Sequence, residues 1–191
     1  MDGDQANFLM PNSHKSIPEH DLVIQVQQGD RRAFAELYER YKSSIYSYCL
    51  RLLGDRQIAE DSTHESFLKM FSECQSLRSP EFLRPWLFRI ARNEVFARIR
   101  KTRRNGHFDD EAVWDTDTPH EQFVTNETSE IVRRLLQELR QEYREVLVLR
   151  EYEQMSYAEI ADITAATESS VKSRIFKARK ALAARLKPYF Q

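Results

Sequence analysis

The sequence predicts an all-α chain of two small helical domains joined by a flexible acidic linker. Three observations carry that prediction. Apolar residues recur at three- and four-residue spacing, the period of a helix, and nowhere alternate between Gly-rich turns as strands do. Only four Gly and six Pro occur in 191 residues, a composition that favours helix over sheet. Charge is sharply partitioned: residues 84–104 hold eight basic side chains and one acid, residues 171–187 hold seven and none, and residues 109–121 hold six acids and no base. The formal net charge of −1 thus conceals two positive surfaces separated by a negative connector.

Residues 1–18 lack periodicity, carry Pro11, Asn12 and Pro18, and read as a mobile tail. The first domain is expected over residues 19–104. Its helical signals begin at Asp21. Gly29-Asp30 pairs a helix stop with the next N-cap, after which Phe34, Leu37, Tyr41, Ile45, Tyr48 and Leu52 mark a long amphipathic helix. Gly54-Asp55 repeats the stop and cap. The helix that follows, from Gln57 to Glu73, shows Ala59, Thr63, Phe67 and Phe71 on one side and Glu60, Asp61, His64 and Glu65 on the other. A loop with Pro80 and Pro85 leads into a helix ending near Arg104. Residues 105–127, with Gly106, Pro119 and the acidic run, form the linker.

The second domain is expected over residues 128–191. Leu135, Leu139, Val146 and Leu149 pattern its entry helices. Ser156-Tyr157-Ala158-Glu159 is a capping box, opening a short helix with Ile160, Ala161 and Ile163 inside. After a tight turn, a second helix starts near Glu168 with Val171, Ile175, Ala178, Leu182 and Leu186 as its buried stripe. This is a helix-turn-helix. Ala165 stands where such turns often carry Gly, so either the turn avoids a left-handed residue or Ala accepts the strain.

The outer face of that last helix presents Lys172, Ser173, Arg174, Phe176, Lys177, Arg179 and Lys180. Its cations suit phosphates, Lys172 and Arg174 suit guanine edges in the major groove, and Phe176 suits a thymine methyl. A solvated basic face is the bland reading, but the absence of acids beside a helix-turn-helix favours duplex DNA. Over residues 86–103, Trp86, Arg89, Asn93, Phe96, Arg100 and Arg103 fall within an arc of about 100°, apart from the apolar arc of Leu87, Phe88, Ala91, Val95 and Ile99. Rings stack on unpaired bases while guanidiniums hold the backbone, so this face is expected to meet single-stranded DNA. In the alternative, Trp86 caps the core and Arg89 and Arg92 are solvated. The stripe of Glu60, Asp61 and Glu65 suits a basic protein surface, unless it is only a solvated face.

Other chemistries find little support. Cys49 and Cys74 lack metal-type spacing and read as reduced thiols of a cytosolic protein. The five His are scattered, so no metal site is expected. There is no signal peptide and no apolar run long enough to span a membrane. Without a carboxylate cluster, a Gly-rich phosphate loop or a paired nucleophile and base, no catalytic residue, cofactor or small-molecule substrate is expected, and an enzyme such as a nuclease is disfavoured.

A family resemblance covers about residues 20–187. Asp21-Leu22-Val23, Gln28-Gly29-Asp30, Ala33-Phe34, Ala59-Glu60-Asp61 and Glu65-Ser66-Phe67 resemble conserved domain two of the bacterial group IV, or extracytoplasmic function (ECF), sigma factors. Pro85-Trp86-Leu87-Phe88-Arg89-Ile90-Ala91-Arg92-Asn93 resembles their promoter-melting segment. Ser156-Tyr157-Ala158-Glu159-Ile160-Ala161 with Val171-Lys172-Ser173-Arg174-Ile175-Phe176-Lys177-Ala178-Arg179 resembles their domain four. The resemblance implies an alternative sigma factor that binds core RNA polymerase at its clamp and flap, recognises −35 and −10 promoter elements and promotes melting.

By the same resemblance, Glu60, Asp61, His64 and Glu65, with Phe67 beneath, meet the clamp. Arg78, Arg84, Trp86, Arg89, Arg92, Asn93 and Arg100 serve the single-stranded −10 element, with residues 78–83 matching a base-capturing loop. Lys172, Ser173, Arg174, Phe176, Lys177 and Arg179 read the −35 duplex, and the acidic linker threads towards the RNA exit path. A cognate anti-sigma factor, often membrane-anchored, is also implied, which would hold this cytoplasmic bacterial protein at the inner membrane face. His64 stands where the family usually has Gln, and Thr167-Glu168 replace a common Pro-apolar pair. Glu168 suits the helix dipole but repels phosphate. The competing reading, a helix-turn-helix regulator with an N-terminal sensor or dimerisation domain, does not account for the Trp/Arg/Asn face beside an acidic stripe.

Overall fold

The computed structural model describes residues 17–104 and 127–189; the N-terminal tail up to residue 16 and the acidic connector fall outside the described residues. Among the described residues every regular element is helical. Helices α1 (Glu19–Gln27), α2 (Arg31–Leu53), α3 (Arg56–Glu73) and α4 (Leu83–Arg104) make up the first half, with short 3-10 turns at Cys74–Ser76 and Pro80–Phe82. The second half holds α5 (Glu127–Gln137), α6 (Gln141–Leu147), α7 (Tyr157–Thr164) and α8 (Glu168–Leu186).

Helix ends in the first half follow the side-chain chemistry of the caps. Gly29 takes φ +89° and Gly54 φ +78°, left-handed positions that end α1 and α2 without a Cβ penalty. Each is followed by an aspartate N-cap. Asp30 Oδ1 accepts from the N–H groups of Arg32 and Ala33 at 2.7 and 3.2 Å, and Asp55 Oδ1 accepts from Ile58 N–H at 2.8 Å. Pro85 lies inside the first turn of α4, so the helix starts earlier than the Pro80–Pro85 loop reading predicts. A missing N–H is harmless there, because first-turn donors have no intrahelical acceptor. Helix α2 packs on α1, α3 and α4, around a core of Leu22, Leu37, Ile45, Tyr48, Phe67, Met70, Leu87 and Phe88.

In the second half the predicted capping box is complete. Ser156 Oγ accepts from Glu159 N–H at 3.2 Å, and Ser156 N–H donates to Glu159 Oε2 at 2.7 Å. Burial works against the Glu159 carboxyl, yet the bonds from Ser156 hold it below the usual carboxylate range. Ala165 takes φ 50°, ψ 47°: the turn accepts the left-handed residue, at a cost of about 1–2 kcal/mol. Thr167 then caps α8, accepting from Ser170 N–H at 3.2 Å. Between α6 and α7 the chain widens into a π turn at Val148–Tyr152.

The two halves are packed on each other. Helix α2 touches α5 and α6, α4 touches α7, and one continuous core runs through both halves. The last carbonyls of α2 lack partners within their own helix; Gln137 Nε2 donates to Arg51 O at 2.7 Å and Arg144 Nη1 to Leu52 O at 2.8 Å. Burial lowers the Arg144 pKa to about 10, which still leaves it a cation at neutral pH.

Candidate nucleic-acid interface

Helix α8 divides its faces as its sequence period predicts. Val171, Ile175 and Ala178 are buried, Leu182 and Leu186 of the expected stripe are only half-buried, and Lys172, Ser173, Phe176, Lys177, Arg179 and Lys180 are exposed. Phe176 is 70% exposed, a large apolar ring held in solvent between cations. Two side chains are already engaged. Lys172 Nζ lies 5.4 Å from the centre of the Tyr157 ring, which Arg150 also covers at 5.0 Å. Arg179 donates to Glu151 Oε1 through Nε and Nη2 at 3.0 and 2.6 Å. Arg174 departs from the rest: it is half-buried and close enough to Glu145 to help hold that carboxyl ionised.

Helix α4 differs from the expected open aromatic face. Trp86 is only 7% exposed and belongs to the shared core, so the expectation of a free indole is corrected. A helical wheel fixes the direction of Trp86 but not what packs across it, and here α7 lies against α4. Phe96 is half-buried under the Arg92 guanidinium, 4.4 Å from its ring centre. Asn93 and Arg100 are exposed, as is Arg78 in the preceding loop. The remaining arginines meet carboxylates of the second half. Arg92 Nε lies 2.6 Å from Glu145 Oε1, Arg89 Nη1 3.4 Å from Asp162 Oδ1, and Arg84 Nη2 3.7 Å from Glu153 Oε2. Arg84 also donates to the Glu153 carbonyl. Burial pushes the Glu145 and Glu153 carboxyls up, against the pull of these arginines.

On α3, Glu60, Asp61 and His64 are exposed, Glu65 is half-buried and Phe67 is buried beneath them, edge-on to Tyr38 at 4.7 Å. The same exposed surface carries Leu68 (51%) and Phe71 (40%), with Phe71 edge-on to Phe34. The predicted inward side for Phe71 is therefore corrected, and Leu68 is a surface residue the sequence reading omits. Its signal was present: Leu68 falls four residues after His64 and seven after Asp61, on one helix face. No group of three or more His, Cys, Asp or Glu side chains among the described residues could hold a metal ion. No helix among them is long and apolar enough to cross a membrane.

Comparison with known proteins gives these surfaces a context. Residues 37–105 match the model for sigma-70 region 2, and residues 129–182 match that for sigma-70 region 4. The chain is 33% identical over 182 residues to the RNA polymerase sigma-H factor of Pseudomonas aeruginosa, covering 89% of this chain and 94% of that one. The chain belongs to the ECF branch of the sigma-70 family. It is also 33% identical over 177 residues to the ECF sigma factor SigW of Bacillus subtilis, spanning 86% of this chain and 95% of that relative. The sigma factor RpoE of Bartonella quintana, solved with the anti-sigma factor NepR, shares the fold at a TM-score of 0.69 and 24% identity, covering 81% of this chain and 96% of that chain. The protein is thus an alternative sigma factor, serving transcription initiation by directing core RNA polymerase to promoters. The region 2 match includes α3 and α4, and the region 4 match covers α8 up to residue 182.

Proposed function

We propose a division of labour along this sigma factor, with residues 19–104 as the polymerase and −10 unit, 105–127 as a linker and 128–191 as the −35 unit. Glu60, Asp61, His64 and Glu65, joined by Leu68 and Phe71 and shaped by Phe67 beneath, dock on core polymerase. Arg78, Arg84, Arg89, Arg92, Asn93 and Arg100 hold the melted −10 strand, with Trp86, buried in the core, supporting that face of α4. Lys172, Ser173, Arg174, Phe176, Lys177 and Arg179 read the −35 duplex. The observation that carries this reading is the α8 face, where cations flank a 70% exposed phenyl ring directly after a capped helix-turn-helix.

The chain contributes no chemistry of its own: it carries no catalytic residue, cofactor or metal, and takes no small-molecule substrate. It acts in the cytoplasm beside its polymerase. A relative solved with an anti-sigma factor supports a cognate anti-sigma partner here, whose membrane anchoring would keep the complex at the inner membrane face. Transcription in vitro with core polymerase and fragmented genomic DNA, followed by sequencing of RNA 5′ ends, tests the reading. Start sites preceded by a shared two-element promoter are expected. Binding to DNA without productive association with polymerase would favour the simple helix-turn-helix regulator instead.

A further inference from the structure

Between α3 and α4 the chain runs through two single 3-10 turns, Cys74–Ser76 and Pro80–Phe82, and residues 78–83 are the stretch that resembles a base-capturing loop. The backbone bonds inside it are local: Leu77 N–H donates to Cys74 O and Phe82 N–H to Ser79 O, each at 3.1 Å. Leu77 and Leu83 are buried at the two ends, while Arg78 and Phe82 between them are exposed, Phe82 by 59%. A cation and a bare ring thus stand on a short loop whose own hydrogen bonds span one turn each.

The stem of this loop is tied to α1 by a side chain from the last residue of that helix. A primary amide has two N–H donors, and Gln27 Nε2 uses both, donating to Cys74 O at 3.1 Å and to Leu77 O at 3.0 Å. The clasp is reciprocal. Gln75 Nε2 donates back to the Gln27 carbonyl, one of the helix-end carbonyls that have no intrahelical donor. One planar amide therefore fixes two carbonyls of the stem at once, and the backbone from residue 74 to 77 cannot tilt without breaking both bonds.

We propose that Gln27 is a positioning residue for −10 recognition: its amide, clasped by Gln75, holds the loop so that Arg78 and Phe82 meet an unpaired base in one pose. This rests on the reading that residues 78–83 capture a base of the −10 strand. Gln27 acts through the loop. A stem that wavers admits a wrong base nearly as well as the right one, so its loss falls on discrimination at the −10 element and spares polymerase binding and −35 reading.

The test uses the full chain with three substitutions. Gln27→Met keeps the length of the side chain and removes both donors, and Gln27→Lys returns donors on a flexible stem. Gln75→Ala, at an exposed position, keeps the test open if circular dichroism shows that Gln27→Met misfolds. Trypsin cleavage after Arg78, located by mass spectrometry, follows the fraction of loop released from its stem. Transcription by reconstituted holoenzyme on −10 and −35 point variants gives the base preference at each element, and titration with core polymerase gives the affinity.

Gln27→Met is expected to speed cleavage after Arg78 and to flatten −10 base preference, each by roughly 5- to 30-fold, the equilibrium equivalent of one to two ordinary hydrogen bonds. Gln75→Ala moves both the same way by less, and Gln27→Lys stays near the parent chain. Polymerase affinity and −35 preference are unchanged in all three. Unchanged cleavage in Gln75→Ala and folded Gln27→Met overturns the proposal. So does an equal loss of preference at the −35 element, the mark of a merely structural defect, or a Gln27→Lys no better than Gln27→Met. Faster cleavage with intact −10 preference overturns it as well. In that last case the loop variant Arg78→Ala with Phe82→Ala assigns the failure: if it loses −10 preference, only the brace falls, and if it retains it, the loop reading falls too.

Discussion

Ile175 and Phe176 are neighbours in sequence and opposites in the structure, so truncating each separates fold from function. Ile175 is 2% exposed and Phe176 70%. Ile175→Ala removes buried carbon and leaves a cavity, which costs about 2–5 kcal/mol. For Phe176, less than a third of the side-chain surface is covered. With about 200 Å² available on a phenylalanine, that is roughly 60 Å², and at about 25 cal/mol/Å² it contributes at most about 1.5 kcal/mol. Alanine's better helix propensity returns about half a kcal/mol, leaving a net loss near 1 kcal/mol. Urea unfolding followed by circular dichroism measures both variants. Transcription by reconstituted holoenzyme on −35 point variants measures reading, where Phe176→Ala is expected to lose about 1–3 kcal/mol of discrimination at one base pair. Equal destabilisation by the two substitutions would refute the assigned faces of α8, and unchanged −35 preference in Phe176→Ala would refute its reading role.

Ala165→Gly relieves the left-handed strain at φ 50° and is expected to stabilise the fold by about 1 kcal/mol, less the greater freedom of unfolded Gly; a lower melting temperature would contradict the strain argument. Burial holds the carboxyls of Glu145 and Glu153 above their ordinary value despite Arg92 and Arg84. Folding around these two groups therefore takes up protons: their contribution to stability is fully present below the ordinary carboxylate pKa and is lost as pH rises through the raised values. The melting temperature should rise on mild acidification, and a fall would reverse the sign. Cys49, buried and pushed up to about 12, and buried Cys74 are expected to resist a disulfide reagent at neutral pH until urea unfolds the chain; rapid native reaction of either thiol would show that the packing around it opens.

The parts of this fold legible in sequence are those decided within one turn of helix. Asp30, Asp55 and Ser156 declare caps because their oxygens reach N–H groups two or three residues ahead, and the α8 stripe declares its inner face by its period. What the sequence could not show depends on partners far along the chain. Trp86 lies on the arc its position dictates, but it is buried in the shared core, and no local pattern says so. The Arg92–Glu145 pair joins residues 53 apart, and each alone reads as an ordinary surface charge. Phe71 was misplaced for a related reason. A helix packed on two neighbours buries an arc set by their crossing, and the wheel cannot tell an edge residue from a core one.

The two faces proposed to meet DNA differ in how their charges are already paired. On α8 the ion pairs lie within the second half, Arg179 with Glu151 and Arg185 with Glu138, and exposed pairs of this kind contribute little. On α4 the inner arginines are tied across the halves, two of them to buried carboxylates. The exposed surface of α3, with Asp61, His64, Leu68 and Phe71, is uncovered. On the proposed reading, docking on polymerase meets an uncovered surface, whereas the −10 strand meets arginines already paired with carboxylates. A chain with net charge −1 also lacks the long-range field that would draw it to DNA alone.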